Sequence, residues 1–440
     1  MLTELKKALV TTGDGATLLP YDLDPILEEE LLLIQPLAQL LEIVPAKTKV
    51  HEYRMRASHP SAWFEGEVTP QNPANSTYVS KTVTLKIQRI WGSVSGFQQA
   101  VSEAFVNALE EELMGSLEGM ANTLEFGQMY GIADDIGFTG DAYQYSGFIP
   151  RIYAYAPENV IDAGGDKISL VDLDNAIEKA FGYRGAARDP RLWLMSKAMK
   201  LVVDGLQARV QIPLGSLELF DGKITMASYS DIPILETDYL KPGSTTTSPS
   251  LVGGLTAADA GGSLAAADYN YRISSVTMTG EQVGGVAASA DVTVTTGTSG
   301  KVTLAWTADA NAKSYMIFRR VGGSGDYQLI DIIAAKTYDT AGTVNGSVES
   351  YVDTGAKSAI TQVNPLESGE QMLVLINRNP NRGVAIMGKV DDMGQTTNTL
   401  FNYVDLARTK DTYDYMLKGY VASRVKYPQL MAVIRHAKLA

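Results

Sequence analysis

The side chains most often used in catalysis and metal binding are scarce in this sequence. Its 440 residues include no cysteine and only three histidines, His51, His59 and His436. The absence of cysteine excludes disulfide bonds, cysteine nucleophiles and zinc sites built on thiolates. His51 and His59 flank one segment that offers no third ligand, so we interpret them as ordinary polar residues. The composition leaves little material for histidine-based catalysis or for a metal centre.

Acidic pairs and glycine-rich turns do occur, but their spacing matches no catalytic motif. The carboxylate pairs at 134–135 and 391–392 stand beside glycines, and we interpret them as solvated turns rather than acid–base pairs. The segment from Asp162 to Asp166 resembles a calcium-binding loop but lacks the downstream glutamate, so we expect a plain turn. Phosphate-binding loops, nucleophile elbows and paired zinc-binding histidines are missing. We therefore predict a protein that is not an enzyme and needs no cofactor.

The charge balance argues against a dedicated nucleic-acid binder. Lys and Arg total 37 and Asp and Glu total 50, which gives a formal net charge of −13. A nucleic-acid-binding protein would normally be basic. The apolar stretch 26–44 contains three consecutive glutamates and a central Pro36, so a membrane span is not expected. Because the N-terminus has no signal-peptide pattern, we expect the chain to stay in the cytoplasm where it is made.

Periodicity divides the first part of the chain into an arm, a hairpin and a helix. Residues 1–45 combine short amphipathic stretches with Pro36, which fits an arm on a neighbouring subunit or an amphipathic helix on a core. Residues 46–92 alternate apolar and polar side chains in two runs, which predicts two antiparallel strands. Residues 97–127 repeat apolar side chains every three or four positions. This spacing predicts one helix about 45 Å long.

The long connection inside the predicted hairpin is a candidate contact surface. Loops of this length in compact domains are usually functional or mobile. Its tip joins two aromatic side chains to two acidic ones, while two arginines share one face of the first strand. A locally packed tip is the alternative. The candidate inter-subunit contacts are Arg54, Arg56, Trp63, Phe64, Glu65 and Glu67.

From residue 148 onward, helix and strand signals alternate. Residues 170–181 and the segment that follows Ser196 have helical spacing, and 151–156 and 192–195 read as strands. These signals predict a compact α/β subdomain over 148–240. Further strand signals return after residue 363.

One all-β segment interrupts this host. A linker-like run begins at Lys241, and residues 245–360 contain several short strands separated by glycine-rich turns. Short strands at such spacing predict a β-sandwich. The sequence as a whole predicts an α+β fold with an all-β insertion that enters and leaves the host at nearby points.

The order of these elements resembles the major capsid proteins of tailed bacteriophages, which have the Hong Kong 97-type fold. The segments Gly15–Pro20, Ile26–Glu30 and Pro36–Val44 resemble the arm of that family where it enters the extended loop. The tail Asp414–Pro428, followed by Leu430–Ile434, resembles the family's closing strands.

The insertion has a resemblance of its own, to fibronectin type III or immunoglobulin-like modules. Trp306 and Tyr315 would be core residues of that sandwich. The segments that carry this resemblance are Tyr269–Val276, Val302–Trp306, Ala312–Arg320 and Tyr351–Gly355.

The capsid resemblance implies a division of the chain into named parts. The helix over 97–127 would be the spine helix of a peripheral domain, and the α/β subdomain would be the axial domain. The implied parts are the N-terminal arm at 1–45, the extended loop at 46–92, the peripheral domain at 93–147, the axial domain at 148–244, the immunoglobulin-like insertion at 245–360, the second axial part at 361–390 and the C-terminal peripheral part at 391–440.

The resemblance also implies a function. Such a protein would assemble through pentamers and hexamers into the icosahedral head shell around phage double-stranded DNA, without sequence-specific binding and without a membrane. The inserted domain would project outward. Partners would be a portal protein and a separate scaffolding or cementing protein where one is used. The protein would be part of the virion and would be assembled in the host cytoplasm. The alternatives are an encapsulin-like nanocompartment shell, a surface or tail adhesin that uses the β module, and an enzyme.

Overall fold

The structure, a computed structural model, describes most of the chain. Leu37 is the first residue that it describes, so most of the predicted arm lies outside the described residues. The described residues are 37, 40–58, 60–62, 64, 75–102, 108–180, 189–209, 215–219, 224–243, 249, 251, 255–284, 292–295, 297–322, 325–335, 348–388, 401–406 and 410–439.

Those residues form helices and strands that mix along the chain. The α-helices are α1 (Gly96–Ser102), α2 (Ala108–Tyr130), α3 (Phe148–Tyr155), α4 (Leu170–Ala180) and α5 (Lys197–Arg209). The strands are β1 (Ile43–Pro45), β2 (Val50–Ser58), β3 (Thr77–Thr84), β4 (Lys86–Ser95), β5 (Val160–Asp162), β6 (Arg191–Met195), β7 (Gly215–Leu219), β8 (Ile224–Tyr229), β9 (Ile232–Glu236), β10 (Thr256–Ala258), β11 (Ala267–Thr277), β12 (Gly280–Glu281), β13 (Val292–Val294), β14 (Lys301–Thr307), β15 (Ser314–Val321), β16 (Gln328–Ala334), β17 (Val348–Asp353), β18 (Gln371–Asn377), β19 (Val384–Gly388), β20 (Phe401–Asp405), β21 (Thr412–Val425) and β22 (Ala432–Ala437).

A seven-stranded sheet forms the centre of the host, in the order β5-β22-β18-β6-β9-β8-β7. Its central strands β6 and β18 are buried along their whole length, which explains why they read as continuous apolar runs rather than alternating ones. On one face, Leu173 of α4 and Met199 of α5 pack against Trp193 and Leu375. The opposite face packs on α3, on the end of α2 and on part of the insertion.

A five-stranded sheet is built around the long strand β21. This strand pairs with β4, β19 and β20, and β1 adds to β19 in parallel. One face lies against α2, where the Tyr415 hydroxyl donates to the Glu112 carbonyl at 2.9 Å and contacts Ser116 Oγ at 2.8 Å. A Cβ atom at Gly92 would overlap the Tyr415 ring, so glycine leaves the space that the ring occupies.

The predicted hairpin is formed by β2 and β3, which pair in antiparallel register from Val50↔Thr84 to Ser58↔Thr77. Tyr53, Val83 and Leu85 at its base pack against Met387 and Ala422 of the five-stranded sheet. The hairpin is therefore anchored at its base by an apolar cluster.

The insertion folds as two packed sheets. Strands β10, β14 and β17 form one sheet, and β11, β12, β13, β15 and β16 form the other. Trp306 and Tyr315 are both buried between the sheets, with ring centroids 5.3 Å apart in an edge-on arrangement. Aromatic pairs favour this geometry because the positive edge of one ring meets the negative face of the other.

The fold class predicted from the sequence, α+β with an all-β insertion, is confirmed, but several local predictions are wrong. The strand predicted over 151–156 is wrong, because residues 151–155 lie in helix α3, which begins further upstream and buries Phe148, Ile149 and Ile152 on one side. The hairpin predicted over 46–92 has a single return strand, but the structure divides this return run into β3 and β4, since β4 leaves β2 and β3 to pair with β21. The spine helix, predicted over 97–127, extends to Tyr130 in α2.

Two strands also belong to a different sheet from the one that the predicted domain boundaries imply. Strand β19, predicted within the axial part at 361–390, pairs with β1 and β21 in the five-stranded sheet. Strand β22, predicted within the peripheral part at 391–440, pairs with β5 and β18 in the seven-stranded sheet. The chain crosses between the two sheets more often than sequence order suggests, because strand pairing depends on contacts between distant segments.

Replacing Tyr415 tests the attachment of β21 to α2. In Tyr415→Phe the Glu112 carbonyl loses its buried donor, and we expect a loss of about 1–2 kcal/mol in the free energy of unfolding. Denaturant unfolding of the unassembled protein measures it. Tyr403→Phe is the matched control, because Tyr403 is 48% exposed and its hydroxyl can bond water. Equal effects of the two substitutions would contradict this role of Tyr415.

Candidate assembly interface

The hairpin presents two chemically different faces, as strand alternation requires. His51 and Tyr53 on β2 lie opposite Val83 and Lys81 on β3, on the face turned to the body of the protein. The opposite face carries Arg54 and Arg56 with their cross-strand neighbours Ser80 and Tyr78, and it is exposed. The predicted orientation of the two arginines away from Tyr53 is what the structure shows.

The inward face is held in place by aromatic and cationic contacts. Tyr53 Oη donates to the Val425 carbonyl at 3.3 Å, and burial raises the pKa of this phenol. The Lys81 ammonium lies 4.2 Å from the centroid of the Tyr155 ring, and burial lowers the pKa of this lysine. Burial, helped by Arg424 and Lys426, also lowers the pKa of His51. These contacts fix the direction in which the hairpin leaves the body.

The outward face combines positive charge with hydrogen-bonding groups. The Arg56 guanidinium lies 5.6 Å from the centroid of the Tyr78 ring and donates to its hydroxyl at 3.3 Å, which lowers the pKa of Tyr78. Ser80 donates a short hydrogen bond to Glu52 on the neighbouring strand. With Arg54, these side chains line an open cleft along the hairpin. Such a surface suits the recognition of carboxylates, since guanidinium groups bind them in two-point geometry.

The loop between the two strands is described only in part. Phe64 is described and is fully exposed, with none of its ring covered by this chain. Trp63, Glu65 and Glu67 lie outside the described residues.

A second exposed surface was not predicted from the sequence. The face of the five-stranded sheet opposite α2 carries Trp91, which is 74% exposed, and Ile87, which is 65% exposed. By strand register, Met416 and Tyr420 of β21 lie beside them, with Arg89 and Lys418 in the pair between. We call this set the β4–β21 patch. The sequence feature that could have indicated this patch is the alternation Ile87-x-Arg89-x-Trp91, which we interpret from the sequence as part of the hairpin.

The described residues offer no alternative chemical site. No group of three His, Asp or Glu side chains among them could hold a metal ion. The segment 162–166 is a turn in which the Gly164 N–H donates to Asp162 Oδ1 at 2.8 Å. Asp135, one of the carboxylates considered above, accepts from Arg151 at 2.7 Å. The pair at 391–392 and His59 lie outside the described residues. No helix among the described residues is long and apolar enough to cross a membrane.

His436 has a structural partner. Its Nδ1 lies 2.6 Å from Glu370 Oε2, at a register shift between β18 and β22 where His436 has a left-handed φ of 57°. Burial alone would raise the pKa of the Glu370 carboxyl, but the Glu367 N–H, His436 and Lys438 outweigh it and lower the pKa. The folded protein therefore favours the ionised carboxylate.

This cluster predicts a dependence of stability on pH. Because the folded pKa of Glu370 lies below its ordinary value of 4.5, its contribution is present above that pH and is lost as the pH falls through the folded value. The variant Glu370→Gln lacks this carboxylate and therefore lacks its contribution at every pH. The difference in Tm between the parent protein and the variant should therefore become smaller as the pH falls from 6 to 3. Glu158→Gln, at an exposed position, is the control. A gap that stays constant across this range would contradict the prediction.

Comparison with known proteins found a family match over part of the chain and a shared fold over nearly all of it. Residues 28–219 match the family model of the SU10 major capsid protein. The chain is similar to the SrpI encapsulin of Synechococcus elongatus, with 10% identity and a TM-score of 0.52 over 98% of this chain and 96% of that one. It also aligns with the capsid of an empty GTA particle, at 10% identity and a TM-score of 0.45 over 96% and 97% of the two chains. The alignment with Mycobacterium phage Ogopogo has 9% identity and a TM-score of 0.45 over 97% and 99%. No curated protein matches the chain.

The family match and the similarity to the encapsulin agree. The family match spans the hairpin, α2 and the first strands of the seven-stranded sheet, and the similarity to the encapsulin shows a shared fold across nearly the whole chain. The expectation drawn from the order of sequence elements is confirmed. Residues 28–219 of the chain match a major capsid protein family, and the chain as a whole shares its fold with an encapsulin, in agreement with the expected Hong Kong 97-type fold.

Proposed function

We propose that this protein closes, through pentamers and hexamers, into the icosahedral head shell that encloses phage double-stranded DNA. The match of residues 28–219 to a major capsid protein family carries the proposal. In this proposal the β2–β3 hairpin is the extended loop, α2 is the spine helix of the peripheral domain, and the seven-stranded sheet is the core of the axial domain. The insertion projects from the outer surface. A portal protein, and a scaffolding or cementing protein where one is used, would be the partners.

The hairpin would join neighbouring subunits by lying over the β4–β21 patch of the next copy. The two surfaces complement each other, since the loop sequence offers Trp63, Phe64, Glu65 and Glu67 while the patch offers apolar side chains around Arg89 and Lys418. Repetition of one modest contact around a closed symmetric shell gives large total strength. An apolar patch of this kind on a single copy is expected where another copy covers it.

The net charge of −13 fits a container for DNA. A wall with many phosphate contacts would hold DNA tightly and hinder packing and release. We therefore propose an inner surface that is neutral to acidic overall. A continuous basic lining in an assembled shell would contradict this.

The hairpin role is tested by deletion of residues 59–77, with the chain ends joined by a short glycine-serine turn. Because the base cluster around Tyr53 and Val83 stays intact, we expect soluble subunits that no longer close shells, as seen by electron microscopy and light scattering. The arm is tested by truncation of residues 1–36. That truncation leaves Leu37 and Leu41 in place, which are buried in the main core.

Normal shells from both the loop deletion and the arm truncation would refute the proposed roles of hairpin and arm.

The β4–β21 patch is tested by the double variant Ile87→Ser, Trp91→Ser. Both side chains are exposed in the single copy, so the Tm of unassembled subunits should change by no more than about 2 °C while shell yield falls at least about tenfold. Leu201→Ser is the matched control, because Leu201 is 65% exposed on α5, away from the patch. Unchanged shell yield in the double variant would contradict the proposed contact.

The arginines of the hairpin are tested by charge reversal. Arg54→Glu with Arg56→Glu should abolish or strongly reduce assembly if this face contacts carboxylates of a neighbouring subunit, because glutamates in place of the arginines would repel them. Lys167→Glu with Lys197→Glu, both at exposed positions, is the control for the same change of net charge. Equal assembly of both variants would show that the hairpin charge is not used.

An encapsulin-like compartment is the second candidate, and the similarity to an encapsulin fold favours it. The contents of shells purified from their natural source separate the two functions. Double-stranded DNA inside supports the capsid role, and a single species of cargo protein with no DNA supports the compartment.

A further inference from the structure

A buried ion pair joins the inserted sandwich to the host. Arg435 of β22 and Glu281 of β12 both have fully buried side chains. Two parallel hydrogen bonds connect them, from Nη1 to Oε2 and from Nη2 to Oε1, each 2.8 Å long. Strand β22 belongs to the seven-stranded sheet of the host and β12 to the insertion.

The surroundings add hydrogen bonds to the Arg435 guanidinium, although its buried Nε has no partner among the described residues. Arg435 also donates to the Tyr153 hydroxyl at 2.6 Å and to the Asn364 carbonyl at 2.8 Å. Burial opposes the charge of the guanidinium, but Glu281 outweighs it and raises the pKa of Arg435. An ion pair taken out of water is tolerated only with such geometry, and removal of one partner leaves an uncompensated buried charge.

The backbone that carries Glu281 is pressed against the host. Gly280 has a φ of 111°, and a Cβ atom there would overlap the carbonyl of Tyr239, which precedes the insertion. Tyr130 at the end of α2 donates to the same Tyr239 carbonyl at 3.1 Å. The turn therefore packs closely against the host, and the Glu281 carboxylate that follows it bonds to Arg435.

A second buried carboxylate makes a separate connection. Asp331 of β16 is fully buried and accepts from the Thr139 N–H at 2.9 Å and from the Thr139 hydroxyl at 2.7 Å. Lys357 of the insertion donates to the same carboxylate at 2.6 Å. Thr139 belongs to the host loop that follows α2, so this contact too crosses between insertion and host.

Apolar packing between these two connections is continuous with the main core. Alternate residues of β15 face opposite ways, so that Tyr315 and Ile317 lie inside the sandwich while Met316 and Phe318 pack into the host core. Leu329 and Ile332 of β16 also pack into the host core. The sheet that carries them is thus buried on both faces. Helices α4 and α5 cover only the other side of the seven-stranded sheet.

We propose that the inserted sandwich completes, together with α3 and the end of α2, the second covering layer of the seven-stranded sheet. In this proposal insertion and host unfold as one cooperative unit, and the pair of Glu281 and Arg435 fixes the position of the insertion on the host. The insertion is then a structural brace of the axial domain as well as a surface feature. This inference rests on contacts within one chain and is independent of whether the shell holds DNA.

Glu281→Gln in the full-length chain tests the proposal. Loss of the carboxylate leaves Arg435 charged and buried, and we expect Tm to fall by about 5–10 °C. Hydrogen exchange should accelerate together in β14 of the sandwich and in β18 of the host, by at least about tenfold in each. The double variant Glu281→Leu, Arg435→Met, which removes both charges, should recover most of the lost Tm.

Glu367→Gln is the matched control. Glu367 also pairs with an arginine of the insertion, Arg272, but its side chain is 55% exposed, so water replaces the lost contact and Tm should change by less than about 2 °C. Acceleration confined to the sandwich, with β18 unchanged, would overturn the proposal and show an independently unfolding module. Equal effects of Glu281→Gln and Glu367→Gln would also overturn it.

Discussion

Burial of a β-sheet on both faces is the constraint on which this structure depends. A sheet with apolar side chains on both sides needs two covering layers, and strands such as β6 and β18 have no polar face to turn to water. Helices α4 and α5 supply one layer of the seven-stranded sheet. The other layer is assembled from α3, the end of α2 and the inserted sandwich, and the buried pair of Arg435 and Glu281 links β22 of the sheet to β12 of the sandwich.

The five-stranded sheet, in contrast, is covered on one face and exposed on part of the other. Its inner face is closed by α2 and Tyr415, whereas its outer face keeps Trp91 and Ile87 exposed beyond the base of the hairpin. A single soluble chain has little reason to expose such side chains together, but a subunit that completes its surface with neighbours does. In the proposed shell, the outer face of the five-stranded sheet would serve attachment between subunits, while its inner face and the seven-stranded sheet stabilise the subunit itself.

Sequence reasoning succeeded where a signal is local and failed where pairing is distant. The sandwich strands, α4, and the Ser196 cap of α5 carry their own periodicity or capping residue, and Ser196 Oγ accepts from the Met199 N–H as expected. The strand prediction for residues 151–156 failed because Ile152, Ala154 and Ala156 alternate as in a strand when the first turn of α3, further upstream, is not considered. Nothing local distinguishes β19 from β18 or assigns β22 to the other sheet, since both choices leave the side chains buried.

The sequence by itself determined the order of the elements, the class of the fold, the acidic balance and the poverty of catalytic side chains, because composition and periodicity are properties of neighbouring residues. It also determined which face of β2 would carry Arg54 and Arg56. Only the tertiary structure decided that Glu281 meets Arg435, 154 positions away, and that the insertion shares the host core. Only the tertiary structure left Trp91 uncovered. Such features depend on which distant segments pack together, and no local pattern of residue types encodes that choice.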